Sequence, residues 1–259
     1  MKLKSRKLTG GQAAIKSLRK EQVKHVFGLI GSATMEMFDA IYHDKKIKFI
    51  DVRDERTGTH MADGYARASN QPGVIIAGQN GPGATNLVTG LAQAKAAFSP
   101  VVSLAGLYST KDKMEDAFQG LDQQSLFEPV TKKTITLKNS KNIPNAISDG
   151  FNIAMSPRRG PVCINLPRNL LAEKNNYKIN EKIKSFKNTN NTQSDPNSIK
   201  RAAKLISNSS KVVIIVGGGI IGTSTAYFLS KAGRKVKVIE RDPTYKKASF
   251  PLSLGGFRR

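Results

Sequence analysis

The amino-acid sequence predicts an α/β fold: a parallel sheet with helices on both faces, followed by a truncated Rossmann-like βαβ unit. Two observations predict the first part. Between Thr9 and Leu171, short apolar runs of strand length alternate with segments whose apolar residues recur at helical spacing. Strands separated by helix-length connections cannot close as hairpins, so the crossovers return each strand parallel to the last. A third observation predicts the second part. Beyond a polar stretch, the run "KVVIIV" leads into a glycine-rich turn, a helical segment and the further run "KVKVIE".

The segment "TGGQAAIKSLRKEQV" opens on Thr9 with Gln12 three residues later, a capping box in which each side chain satisfies a free backbone N–H of the first turn. "HVFGLI" follows as a buried strand, "ATMEMFDAIYHD" as a helix and "IKFIDV" as the next strand. Then come the helix "DERTGTHMADGYARAS", the strand "GVIIAG", the helix "PGATNLVTGLAQAKAAF" and the strand "PVVSLAGL". The strand "KTITL", the helix "NIPNAISDGFNIAM" and the strand "PVCINLP" close the series. Residues 1–171 are expected to form one domain. Residues 172–194, rich in Asn, Lys, Ser and Thr, read as a linker, and residues 195–259 as a second, short unit. Asp195 and Pro196 mark its start as an N-cap and first helical position, with Ile199, Ala202, Ala203 and Ile206 on one apolar face.

Composition narrows the function classes. At 259 residues, 39% hydrophobic and 24% charged, the chain is expected to bury a core. Cys163 is its one cysteine, which excludes an intrachain disulfide and a zinc site of four cysteines. It falls mid-strand among apolar neighbours, the setting of a buried, inert thiol. No metal ligands are predicted. No apolar run of signal-peptide length follows the basic start "MKLKSRKLTGGQAAIKSL", and no run of about 18 apolar residues occurs, so a cytoplasmic protein with no membrane partner is expected. The formal charge of +23 raises nucleic acid or an anionic membrane as partners. Its lysines, however, are spread from Lys2 to Lys247 with no aromatic-interleaved basic motif, and "EKNNYKINEKIKSFKNTNNTQSD" mixes Glu173, Glu181 and Asp195 among them. This pattern reads as a solvated basic surface, with no nucleic-acid partner.

The most informative block is "FIDVRDERTGTHMADGYARASNQPGVIIAGQNGPGATNLVTG". Glu55 falls at the first turn of a helix just after a buried strand, where the strand ends of parallel sheets form ligand crevices. "GQNGPGATN" is a second strand-to-helix turn, whose glycines allow close backbone approach and whose helix start offers free N–H groups. On spacing alone Glu55 can equally serve its helix dipole, and the glycines can simply turn the chain.

"RDERTGTHMADGYAR" together with "GPGATN" resembles the N-terminal, pyrimidine-binding domain of thiamine diphosphate enzymes related to acetolactate synthase and sulfoacetaldehyde acetyltransferase. "AFQGLDQQSLFEPVTKK" and "RRGPVCINLPRNLL" resemble later landmarks of the family in the same order, so the likeness runs from about Thr9 to about Val216. It implies that Glu55 is the catalytic, cofactor-activating glutamate, whose carboxylate hydrogen-bonds the pyrimidine nitrogen. It further implies that Ile30, Gly31, Gly81, Pro82, Asn86 and Gln119 line thiamine diphosphate, the last four in the site of a facing subunit. Two positions depart from the family: Asp54 stands where His is frequent, and Ile30 where Pro is frequent. Family members bind the diphosphate and Mg²⁺ through a further domain with a GDG motif followed by Asn. No GDG occurs in this sequence, so that domain is expected to be missing and the chain inactive alone.

In "VIIVGGGIIGTSTAYFLSKAGRKVKVIERD", Gly217, Gly219 and Gly222 follow an apolar strand and open a helix, and Glu240 ends the next strand. The glycines let a pyrophosphate sit on the helix start, and Glu240 can accept from ribose hydroxyls. With "ASFPLSLGGFRR" this stretch resembles the N-terminus of FAD-dependent oxidoreductases of the D-amino-acid oxidase and sarcosine oxidase type. The resemblance implies FAD as a second cofactor held by those four residues. Both families contain strings like "VVIIVGGG", so the expectation is a fused or misassembled reading frame joined near residue 215. The leading functional reading is C–C bond cleavage or formation next to a carbonyl, on a small-molecule substrate, in a homodimer or homo-oligomer. The alternatives are a flavin oxidoreductase fragment and a regulatory binding module.

Overall fold

The computed structural model describes residues 7–179, 196–208, 214–216, 220–233 and 237–239. The chain divides into two units, Met1–Asn191 and Thr192–Arg259. In the first, β1 (Leu8–Thr9) runs into α1 (Gly10–Lys20), where the Thr9 Oγ1 accepts from the Gln12 N–H at 3.1 Å and Gln12 Oε1 accepts from the Thr9 N–H at 3.1 Å. The capping box expected of these two residues is therefore formed. After it come β2 (His25–Leu29), α2 (Met35–Tyr42), β3 (Lys48–Asp51), α3 (Glu55–Ser69), β4 (Gly73–Ala77), α4 (Pro82–Ala96) and β5 (Val101–Leu107). α5 (Gln123–Phe127), β6 (Lys133–Thr136), α6 (Ile143–Met155), β7 (Val162–Pro167), α7 (Arg168–Ala172) and β8 (Lys174–Asn175) complete the unit.

Six strands form one sheet in the order β3-β2-β4-β5-β7-β6, with every pairing parallel. The period of two along each strand sends alternate side chains to opposite faces. Val74, Ile76, Val102, Leu104, Val162, Ile164 and Leu166 pack with α1, α2, α6 and α7 in one core. Ile75, Ala77, Val101, Ala105 and Cys163 pack with α3, α4 and α5 in the other. Because both faces are covered, β4, β5 and β7 are buried along their whole length, which is why they read as unbroken apolar runs. Cys163, at the middle of β7, is fully buried, and burial pushes its thiol up to about 12.

The structure adds elements that no apolar pattern announces. β1 pairs antiparallel with β8, Leu8 opposite Asn175 and Thr9 opposite Lys174, so ordered backbone continues past Leu171 into the polar stretch. α5 and α7 have five residues each, too short for a helical period to show. In the second unit, α8 (Pro196–Ser207) starts at the expected Pro196. β9 (Ile214–Val216), α9 (Ile220–Lys231) and β10 (Lys237–Ile239) follow, and β9 and β10 pair in parallel, as a βαβ unit requires. Among the described residues no helix is long and apolar enough to cross a membrane.

α3 and α4 are locked together by a buried carboxylate. Arg67 grips Asp63 with two hydrogen bonds of 2.9 and 2.7 Å, and Gln93 of α4 donates to Asp63 Oδ2 at 2.9 Å. Burial alone would raise the Asp63 carboxyl, but its hydrogen bonds, led by Arg67, outweigh that and hold it below its ordinary value. A carboxyl lowered in the folded state contributes stability above its ordinary range, and that contribution is lost as pH falls through the folded value. Asp63→Asn should therefore destabilise the protein by about 1–3 kcal/mol at neutral pH. In urea unfolding curves, the gap between the two proteins should shrink as the pH is taken into the acid range.

Candidate functional site

The chain leaves β2 toward α2 on one face and leaves β4 toward α4 on the other, although β2 and β4 are neighbours. Such a divergence opens a crevice at the carboxyl ends of the strands. Its floor is a meeting of two backbones: a Cβ on Gly31 would lie 2.4 Å from the carbonyl carbon of Gly78, and the Ala33 N–H donates to Gly78 O at 3.1 Å. No side chain fits there. Ile30, next to it, is 56% exposed at the rim.

Glu55 enters this crevice from the start of α3. Asp54 caps the helix, accepting from the Arg56 N–H at 2.7 Å and from Arg56 Nη2 at 3.3 Å, so its charge is engaged at the surface and not against Glu55. Glu55 turns inward and is 3% exposed. Asn86, on the second turn of α4, donates from Nδ2 to Glu55 Oε2 at 3.0 Å. Oε1 accepts nothing among the described residues and faces Gly83, where a Cβ would lie 2.9 Å away. Glu55 thus sits at the start of α3 and beside the start of α4, and both helix N-termini favour negative charge.

The turn between β4 and α4 carries the rest. Gly81 has φ +61°, and a Cβ there would press on Gln119 O at 2.6 Å. Its N–H donates to the side-chain oxygen of Gln123 at 3.2 Å. Gln123 is buried, and its amide nitrogen donates to Gly106 O at 3.0 Å and Asn165 Oδ1 at 3.1 Å, which anchors the turn to β5 and β7. Asn80 donates to the carbonyls of Phe118 and Gln119 at 2.8 and 3.0 Å. Gln79 bridges Ser32 and the side chain of Gln119. Pro82 is the first residue of α4, where its missing N–H costs nothing.

Glu55, Asn86, Gly81, Pro82, Gln119 and Gly31, with Ile30 at the rim, are therefore all gathered around one crevice. Gly83, Gln79, Asn80 and Gln123 also build it and were not among the expected site residues. Gly83 was signalled by the glycine-rich turn, whereas a Gln or Asn in a polar loop carries no mark of an inward direction. Of the second set, Gly222 lies in α9, while Gly217, Gly219 and Glu240 fall outside the described residues. A cavity of about 370 Å³ opens at the opposite, amino ends of the strands, lined in part by Glu21, His25, Tyr65 and Gln71. It shares no residue with the Glu55 crevice. Among the described residues, no group of three or more His, Cys, Asp or Glu side chains gathers to hold a metal ion.

Residues 8–126, which contain the whole crevice, match the family described as thiamine pyrophosphate enzyme, N-terminal TPP binding domain. This part of the chain is similar to that family. Thiamine pyrophosphate is thiamine diphosphate under its other name. A probable acetolactate synthase large subunit of Methanocaldococcus jannaschii is 39% identical over 255 residues, covering 96% of this chain and 43% of the relative. One from Methanococcus aeolicus is 40% identical over 217 residues, covering 83% and 36%. The acetolactate synthase isozyme 3 large subunit of Escherichia coli is 37% identical over 216 residues, covering 83% and 38%. The chain spans well under half the length of these relatives. Residues 212–250 match a second family, FAD dependent oxidoreductase. The likeness to the Methanocaldococcus protein, at 96% of this chain, runs into that same segment and so continues past the expected limit near Val216.

The Gly81 turn gives the crevice a direct mechanical test. Gly81→Ala forces a side chain into a left-handed conformation and against Gln119. It should cost about 1–3 kcal/mol, read as a lowered midpoint of thermal or urea unfolding.

Proposed function

We propose that the first unit binds the pyrimidine end of thiamine diphosphate at the Glu55 crevice, as part of an acetolactate synthase-like enzyme that forms or breaks a C–C bond next to a carbonyl. One observation carries the reading: a buried carboxylate with one oxygen held by Asn86 and the other free, facing Gly83. A planar ring with a protonated nitrogen fits such a place, because the missing Cβ of Gly83 leaves it room and Glu55 Oε1 offers an acceptor. When bound, the cofactor supplies a carbanion that adds to carbonyl carbon.

The chain's own residues prepare the site. Glu55 holds a proton donor of the pyrimidine ring at Oε1, and its hydrogen bond is strengthened by the low dielectric around it. Asn86 keeps the carboxylate from rotating away. Gly81 and Pro82 bring the start of α4 to the crevice, and Gln119 stands at its edge, reaching the same group or a facing subunit's. We assign the diphosphate end and its Mg²⁺ to residues outside this unit, and a homo-oligomer as the working assembly. The names of these relatives, large subunits of acetolactate synthase, support both this chemistry and a place in a larger assembly.

The test is a titration of the isotope-labelled protein with thiamine, followed by NMR. Shifts are expected at Glu55, at Gly81–Asn86 and at Gln119. Glu55→Gln should weaken binding by about tenfold or more, the worth of a hydrogen bond to a charged group. Shifts confined to the cavity around His25, or identical binding in the variant, would sink the reading.

A second reading concerns residues 212–250 alone. The parallel pair β9 and β10 joined by α9, together with the family match, supports a nucleotide turn at Gly217, Gly219 and Gly222 with Glu240 on the ribose of FAD. An absorbance titration with FAD should show binding that Gly219→Val abolishes. Equal behaviour of the two proteins would leave the glycines as a turn only.

A further inference from the structure

We propose that Gln79 is a positioning residue that sets the polarity of Gln119, so that Gln119 presents its amide N–H groups to the crevice and selects an acceptor oxygen in whatever lies there. A glutamine amide can face either way, and its two ends differ only in that one accepts and the other donates. Here the direction is fixed by a relay that begins at a group with no choice. The backbone N–H of Ser32 can only donate, and it points at the Gln79 side-chain oxygen at 3.1 Å. The Ser32 hydroxyl donates to the same oxygen at 2.9 Å. Both lone pairs of that oxygen are then used, so the end of Gln79 that reaches Gln119 is its nitrogen. It donates to Gln119 Oε1 at 2.7 Å. The oxygen of Gln119 is thereby taken, and its nitrogen, which donates to nothing among the described residues, is the end left for a ligand.

The main chain of Gln119 is held as firmly as its side chain. It has φ +56°, its carbonyl accepts from Asn80 at 3.0 Å, and Gly81 packs against it where any Cβ would collide. Three consecutive residues, Gln79 to Gly81, thus fix the place, the backbone and the amide direction of a residue far along the chain. A carbonyl or carboxylate oxygen satisfies the donor that results, whereas an ammonium or a bare hydroxyl hydrogen does not. That this oxygen belongs to a substrate of a thiamine-dependent reaction rests on the reading above. The polarity itself does not.

The experiment measures side-chain amide exchange with water by NMR, using the labelled full chain. In the unmodified protein the Gln79 amide should be protected and the Gln119 amide should exchange at the rate of a free glutamine. Gln79→Glu keeps the acceptor for Ser32 but replaces the donor with a carboxylate oxygen. Gln119 should then turn over, donate to that carboxylate, and exchange roughly tenfold more slowly, as a charge-assisted hydrogen bond requires. Gln79→Ala should leave Gln119 exchanging freely in a protein with an otherwise native spectrum. Protection of Gln119 in the unmodified protein or in Gln79→Ala, or exchange indifferent to Gln79→Glu, overturns the proposal. A failed thiamine titration with the expected exchange pattern would remove the substrate and keep the relay.

Discussion

The first unit depends on two backbones touching where side chains cannot. Gly31 and Gly78 meet at the point where β2 and β4 send their chains to opposite faces of the sheet, and the space between them is too small for a methyl group. Were either residue larger, the loops would separate. The loop before α2 could then no longer reach Gln79, and the turn before α4 could no longer hold its tight path. Main-chain contact is less adjustable than side-chain packing, because no rotamer change can relieve it. The crevice inherits that stiffness.

On this base, one short turn serves two purposes. Toward Glu55 it provides emptiness, since Gly83 leaves free the volume beside Oε1. Toward Gln119 it provides contacts, through Gln79, Asn80 and Gly81. Gln123 ties the same turn to the strands beneath, so that it is held from below as well as from the sides. A buried carboxylate is costly unless it is paired or hydrogen-bonded. Here the cost is lowered by Asn86 and by the start of α4, which the turn itself aims.

Much of the scaffold was legible in the residues because burial on both faces leaves a strong trace. β4, β5 and β7 appear as apolar runs, and α1 announces itself through Thr9 and Gln12. Glu55 and the glycine turn could be placed at one crevice because both follow strands directly, and strand ends of a parallel sheet lie on one side. What stayed hidden was decided by contact at long range. Leu8 and Asn175 pair across almost the whole unit, and two residues are too few to show a period. α5 had its cap, Asp122 accepting from the Ser125 N–H at 3.1 Å, but only five residues of helix to follow it. Gln79 and Gln123 look like surface glutamines until the sheet brings Ser32, Gln119 and Gly106 to them. The residue type states what such a side chain can bond, and only the fold states with what.

Cys163 gives the sheet an internal witness. The sulfur lies at the centre of β7, sealed by both neighbouring strands and by the helices above, and its proton is held more tightly than any ordinary thiol's. A reagent that attacks thiolates meets neither an exposed atom nor an ionised one while the strands stay together. Fraying of the ends or movement of the crevice loops leaves it untouched. Alkylation of this single atom therefore counts the moments when the middle of the sheet comes apart, and it separates the opening of the whole unit from the breathing of its site.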